Sequence, residues 1–209
     1  MKCSICDLRK ARRHCPGLNQ EICPVCCGNE REESIRCPHD CEYLRESRLH
    51  ERAPEIPADQ VPNRDVPVTE EFIESHEALV SFASGALLQS ALDAPDAVDN
   101  DLREAIESLI RTYRTLQTGL YFESRPDNPI AAAIQHGFQE RLEDLRKRLA
   151  ERASGSVRDA EVLGVLVFLQ RVEMQHNNGR RMGRAFLDFL RSYFAPARQP
   201  DPAPSLILP

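Results

Sequence analysis

The residues best suited to chemistry are Cys3, Cys6, Cys15, Cys23, Cys26, Cys27, Cys37 and Cys41, and all eight lie within the first 41 positions of a 209-residue chain. The rest of the chain has no cysteine, so the eight belong to one local device. Eight thiolates are what two tetrahedral zinc ions require. Cys3-Ser-Ile-Cys6 and Cys23-Pro-Val-Cys26 are CxxC turns. Each such turn puts two sulfurs on one side of a tight knuckle, and two knuckles close a tetrahedron. Cys15, Cys27, Cys37 and Cys41 are left for a second ion. Cys27 follows Cys26 directly, so the two side chains diverge and serve different ions. The order along the chain is then site one, site two, site one, site two, a cross-brace.

From Cys3 to Cys41 the layout resembles the HIT and MYND zinc fingers and, more loosely, the RING type. Their opening CxxC and the gap after it are matched by Cys3, Cys6 and Cys15. Those families place another CxxC at once, whereas Cys15 stands alone here until Cys23. Cys37-Pro-His-Asp-Cys41 is similar to their closing His/Cys pair. The resemblance implies paired, interleaved zinc sites that bind proteins rather than catalyse.

Rival chemistries fit less well. Cys23-Pro-Val-Cys26 has the spacing of a redox dithiol, but that chemistry uses a βαβ scaffold which so short a module does not supply. The closely spaced cysteine run of ferredoxins is missing. His14 and His39 are spare ligands, because eight cysteines already fill two sites. Asp40 is placed to cap a helix whose first turn holds Cys41, where the helix dipole favours a thiolate. The basic run Arg9-Lys10-Ala11-Arg12-Arg13 either neutralises zinc-thiolate charge and donates to sulfur or binds phosphates. No aromatic residue interleaves with it to stack bases, which favours the first role. Residues 1–52 carry ten Lys/Arg and nine Asp/Glu. Eight thiolates and two Zn²⁺ change that formal +1 by −4, to −3.

These ligands need positioning, and about fifty residues cannot bury enough apolar surface to do it without metal. Met1-Lys2-Cys3 leads straight into cysteines and charges, so no signal peptide is expected. The longest apolar run, from Val162 to Leu169, contains Gly164 and is far short of a membrane span. A cytoplasmic location follows as the expectation, and there clustered thiols stay reduced and favour metal over disulfide.

The chain divides into a cysteine-rich module (1–53), a Pro-rich linker (54–68), an α-helical bundle (69–194) and a disordered Pro-rich tail (195–209). The linker holds Pro54, Pro57, Pro62 and Pro67 without a periodic apolar face. It predicts a semi-rigid tether and two halves that are energetically separable.

In the bundle the spacing predicts five helices. Thr69 caps the first, which ends near Ala94-Pro95. The second starts near Asn100 or Asp101 and carries Leu102, Ile106, Leu109, Ile110, Tyr113, Leu116 and Leu120. Asn128-Pro129 caps the third, whose inward face is Ile130, Ile134, Phe138, Leu142, Leu145 and Leu149. A capping box at Ser156–Asp159 opens the fourth, which is apolar nearly all round and belongs at the centre. Asn177-Asn178-Gly179 closes it. The fifth turns Met182, Phe186, Phe189, Leu190 and Tyr193 inward. Short loops make an up-and-down arrangement the default.

Within the bundle, Glu173-Met-Gln-His176 has a di-iron spacing but lacks the further carboxylates such sites use. His76 and His136 read as surface or satisfied core residues. A cluster of Arg114, Gln117, Tyr121 and Phe122 surrounds one helix end. Arg180-Arg181-Met182-Gly183-Arg184 makes a cationic turn able to grip a carboxylate. No Gly-rich phosphate loop or nucleophile elbow occurs.

The fold class read from the sequence is an all-α bundle behind a two-zinc module. The function read from it is a non-enzymatic zinc-binding adaptor whose partner is a protein. One alternative is a thiol-based redox or metal sensor; another is a nucleic-acid-binding regulator using residues 9–13. Oligomeric state is not legible.

Overall fold

In the computed structural model, residues 1–119, 122–153 and 155–194 are described, the last without its side chain. The expected tail at 195–209, and Leu120 and Tyr121, lie outside them.

The N-terminal module is a small hairpin and two short helices. Strands β1 (Arg13–Cys15) and β2 (Gln20–Ile22) pair antiparallel, with Arg13 opposite Ile22 and Cys15 opposite Gln20. Helix α1 (Pro24–Glu30) begins with Pro at its first position and Cys23 as N-cap, where a missing N–H costs nothing. Helix α2 runs from Glu42 to Arg48. Cys41 is its N-cap rather than a first-turn residue, and no side chain, Asp40 included, caps it. The apolar centre of the module is only Ile22, Ile35, Leu44 and the cysteines. That is far less burial than chain entropy demands.

The rest of the protein is built from α3 (Glu70–Ser75), α4 (Glu77–Asp93), α5 (Asp99–Gln117), α6 (Pro129–Glu151), α7 (Asp159–His176) and α8 (Ala185–Phe194). Local chemistry sets most of the starts. Thr69 Oγ1 accepts from Phe72 N at 3.1 Å, and Asn128 Oδ1 accepts from Ile130 N at 3.0 Å ahead of Pro129. Asp101 accepts from Val98 N at 2.8 Å. The capping carboxylate of α7 is Glu161, on Arg158 N at 3.0 Å, so that box lies later in the chain than Ser156–Asp159.

Two features depart from the five-helix, up-and-down expectation. The first expected helix is broken at His76, where φ −118° and ψ 21° leave the helical region. The His76 ring stacks on Phe72, centroids 4.3 Å apart. Phe72 in turn lies over Gly164 of α7, where an added Cβ would sit 2.4 Å from its ring. The break thus turns α3 so that Phe72 covers the waist of α7.

The second departure is order. Among the described residues the four long helices close a ring in the sequence α4, α6, α5, α7, and α8 leans on α4 with α7 and α5 beside it. Consecutive helices α4 and α5, and likewise α6 and α7, stand across the ring. Helices α4 and α6 approach closely at Gly137, where a Cβ would meet Ser90 Oγ at 2.9 Å. The fully buried Phe138, Leu102, Ile106, Leu109, Ile134 and Leu166 fill the middle.

The second half of the linker is fastened to the bundle. Val66 and Val68 pack on the core. Arg114 grips Asn63 Oδ1 and both Asp65 oxygens at 2.7–2.8 Å. Arg171 donates to the Asn63 carbonyl at 2.9 Å. Arg114, singled out as part of an unexplained cluster, is thereby employed in anchoring the linker.

Asp99 is buried at the start of α5 and accepts from Phe186 N at 2.9 Å and Leu187 N at 3.0 Å, capping α8. Its own N–H donates to Gly183 O at 2.8 Å. Burial pushes its carboxyl from 3.8 up to about 7, against the lowering effect of those two N–H groups. A raised folded pKa means the folded state holds the proton more tightly than the unfolded chain. The stabilisation is full below about 4 and is lost as pH rises through about 7. Urea unfolding at pH 5 and pH 8 is expected to show this loss in the wild type and a markedly smaller one in Asp99→Asn. Equal pH dependence of the two proteins would refute the assignment.

Candidate metal centre

The sulfurs of Cys3, Cys6, Cys23 and Cys26 all lie within 4.8 Å of one another, the one such group among the described residues. Two turns meet there. Asp7 N donates to Cys3 O at 2.9 Å, folding the first knuckle. Cys26 N donates to Cys23 Sγ at 3.4 Å, folding the second over the start of α1. Cys23 N donates to Cys3 Sγ at 3.2 Å and ties the knuckles together. A tetrahedral zinc with bonds of about 2.3 Å separates its sulfurs by roughly 3.8 Å, so this donor set fits one ion.

The electrostatics of the four thiols is uneven. Burial opposes ionisation of Cys3, yet the N–H groups of Cys23, Cys6 and Ile5 around its sulfur outweigh it and bring the thiol down to about 6. Burial and the neighbouring Cys23, Cys6 and Cys3 push Cys26 up to about 12. The Cys6 thiol is lowered too, chiefly by the N–H groups of Arg9 and Leu8, whereas the neighbouring sulfurs resist a charge at Cys26. A cation at the centre reverses that repulsion. The Arg9 guanidinium is drawn to Cys23 and Cys6, which raises its own pKa.

The other four cysteines gather less tightly. Cys15, Cys27, Cys37 and Cys41 line one small cavity of about 10 Å³ together with Arg13, Arg31 and Tyr43. All four are buried. Burial raises the Cys37 thiol, with the charges of Cys41, Glu32 and Cys15 adding to it and the Glu32 backbone opposing it. Arg13 and Arg31 approach Cys27 Sγ at 3.4 and 3.8 Å, and Arg13 lies over the Tyr43 ring at 4.4 Å. Two members of the cationic region thus face sulfur: Arg9 at the first quartet and Arg13 at the second. His14 is turned to Glu21 at 3.3 Å, and His39 is paired with Asp188.

No protein-family model, curated protein or solved structure matches this chain. The likeness of its cysteine spacing to HIT and MYND fingers therefore rests on the residues alone.

The largest difference from the sequence reading lies on the far side of the second quartet. The module is docked on the bundle. Glu32, in the loop between Cys27 and Cys37, is fully buried. Its carboxylate accepts from Arg48 Nη2 at 2.7 Å, Asn178 Nδ2 at 2.9 Å and Arg184 N at 3.0 Å. Its carbonyl accepts from Met182 N at 2.7 Å. Arg180 donates to the Arg31 carbonyl, and Arg184 to the Cys37 carbonyl. Arg48 and His39 both engage Asp188, and Arg36 pairs with Asp96. The cationic turn at 180–184 does grip a carboxylate, and that carboxylate belongs to its own chain. Glu32 carried no signal in the sequence, one acid among several in Glu30-Arg-Glu-Glu33. The di-iron spacing resolves into structure: Glu173 is buried against Arg103 at 3.2 Å and Asn177 at 2.6 Å, while His176 stacks on Phe189.

Proposed function

We propose that this chain is a non-enzymatic interaction protein whose N-terminal module is stapled by two zinc ions. Cys3, Cys6, Cys23 and Cys26 hold one, and Cys15, Cys27, Cys37 and Cys41 the other. The observation that carries the reading is the first quartet's mutual sulfur spacing within 4.8 Å, with the remaining four cysteines around a neighbouring cavity. Sulfurs this close suit a single ion better than a multi-iron cluster, whose thiolates attach to different irons.

A protein partner is supported by the exposed Ile5, Leu8 and Val25. They stand on or beside the turns that converge on the first quartet, facing apolar groups to solvent. The placement of Arg9 and Arg13 against sulfur takes two cations from a phosphate-binding role and argues against nucleic acid as partner. Reduced thiols of this kind suit the cytoplasm, and no helix among the described residues is long and apolar enough to cross a membrane. The alternative of a metal sensor gains from the docking of the Cys27–Cys37 loop on the bundle.

Native mass spectrometry of protein made in zinc-replete medium is expected to show two zinc ions per chain. A single ion, or iron with labile sulfide, would overturn the two-zinc assignment.

A further inference from the structure

We infer that metal at the second cysteine quartet, and not at the first, latches the module onto the bundle. The inference rests on the two-site reading above. It starts from an asymmetry in the module. The contacts to the bundle run from Gly28, Arg31, Glu32, Arg36, Cys37, His39 and Arg48. That stretch starts just after Cys27, contains Cys37 and Cys41, and ends with α2, whose N-cap position Cys41 occupies. The knuckles bearing Cys3, Cys6, Cys23 and Cys26 lie outside it.

Glu32 is the centre of the contact, and its pose is held from outside itself. Its φ of +53° is in the left-handed region, which a non-glycine residue occupies only where its surroundings over-determine it. Glu32 N donates to Ile35 O at 3.1 Å, and Arg31 bridges to Ile35. The Glu30 carbonyl also accepts from Glu33, Ser34 and Ile35 N at 3.0–3.2 Å. These bonds shape the loop, while its two ends, Cys27 and Cys37, together with buried Ile35 place it on the module. An ion shared by Cys15, Cys27, Cys37 and Cys41 ties the hairpin, α1, the loop end and α2 to one point. Without it the loop ends and α2 are released. Glu32 and Arg48 then lose the geometry that meets Asn178, Arg184 and Asp188.

A buried carboxylate with three donors is also a poor candidate for partial release. Its donors and acceptors lose their partners together, so docking behaves as a two-state element. Linkage requires the reverse effect as well: docking must tighten the second ion by the factor that the ion tightens docking.

The test uses the full-length zinc-loaded protein. The amides of Met182 and Arg184 donate to Glu32, so their hydrogen exchange reports docking. Ions are counted by native mass spectrometry, and bundle folding is followed by circular dichroism. Cys37→Ser is expected to retain one ion and lose at least tenfold in protection at both amides. Cys6→Ser is expected to retain one ion and change protection less than twofold. Glu32→Gln removes no sulfur ligand and keeps the Glu32 backbone that faces Cys37. It is expected to keep both ions at rest, lose the same protection, and release one ion to a chelator at least tenfold faster with the other unchanged. Equal loss of protection in the two cysteine variants would overturn the latch, as would full protection in Cys37→Ser or unaltered chelation rates in Glu32→Gln. A wild-type protein holding one ion would refute the two-site reading and the latch together. Two ions with any of the other negative results would refute the latch alone.

Discussion

Treatment with a strong chelator is expected to unfold residues 1–49 and leave most of the helical signal in place. Two separate apolar clusters make this so. The module's cluster is Ile22, Ile35, Leu44 and cysteines, whereas the bundle's contains none of the module's residues. A structural zinc site contributes on the order of 10 kcal/mol to folding, more than the module's small core offers in its place. The bundle loses only polar partners, at Asp96, Asn178, Arg180, Met182, Arg184 and Asp188. Some loosening of α8 is expected, since it lies beside that contact. Far-ultraviolet circular dichroism before and after chelation, with proteolysis mapping the exposed segment, checks it. Survival of the module without metal, or loss of the bundle's helices along with it, would contradict the argument.

Phe138→Ala is expected to destabilise the bundle by about 3–5 kcal/mol, the range for a buried Phe that leaves a cavity. Phe138 is fully buried on α6, the helix that bridges α4 and α5 in the ring. Little can collapse into the space, because its neighbours Ile134 and Leu142 are already packed on the same face. For a chain of this size the change corresponds to a fall in Tm of roughly 10 °C. Phe122, 65% exposed, is the control: Phe122→Ala should change stability by no more than about 0.5 kcal/mol. The metal content of Phe138→Ala should match that of the wild type, because Phe138 belongs to the bundle's apolar cluster and not to the module's. Thermal unfolding of both variants decides the matter, and a loss in Phe138→Ala no larger than in Phe122→Ala would count against the packing.

Much of this was legible from residue spacing. Cys3 and Cys6, and Cys23 and Cys26, announced their pairing because a turn of four residues brings their sulfurs together whatever surrounds it. Asn128-Pro129 and Thr69 announced helix starts for the same local reason. The break at His76 was hidden: the apolar spacing continues through Phe72, His76 and Val80, and the reason for turning lies on another helix, at Gly164. Glu32 was hidden too. Nothing distinguishes it from Glu30 or Glu33 until Asn178 and Arg184, about 150 positions away, close around it. The cationic turn at 180–184 was visible as an oddity, but its occupant was not.

The sequence by itself determined most of the elements: a cysteine device confined to the first 41 residues, the helical segments of the bundle with caps such as Thr69 and Asn128, and most of each apolar face, though Tyr193, expected inward, is 71% exposed. Those are set by hydrogen bonds and ligand geometry between residues a few positions apart, which spacing encodes directly. Only the tertiary structure decided the ring order of α4, α6, α5 and α7, the fastening of the linker by Arg114 and Arg171, and the docking of the module through Glu32. Each of these depends on shape and charge complementarity between distant segments. A polar contact of that kind leaves no period in the chain, because one carboxylate and its donors suffice to make it.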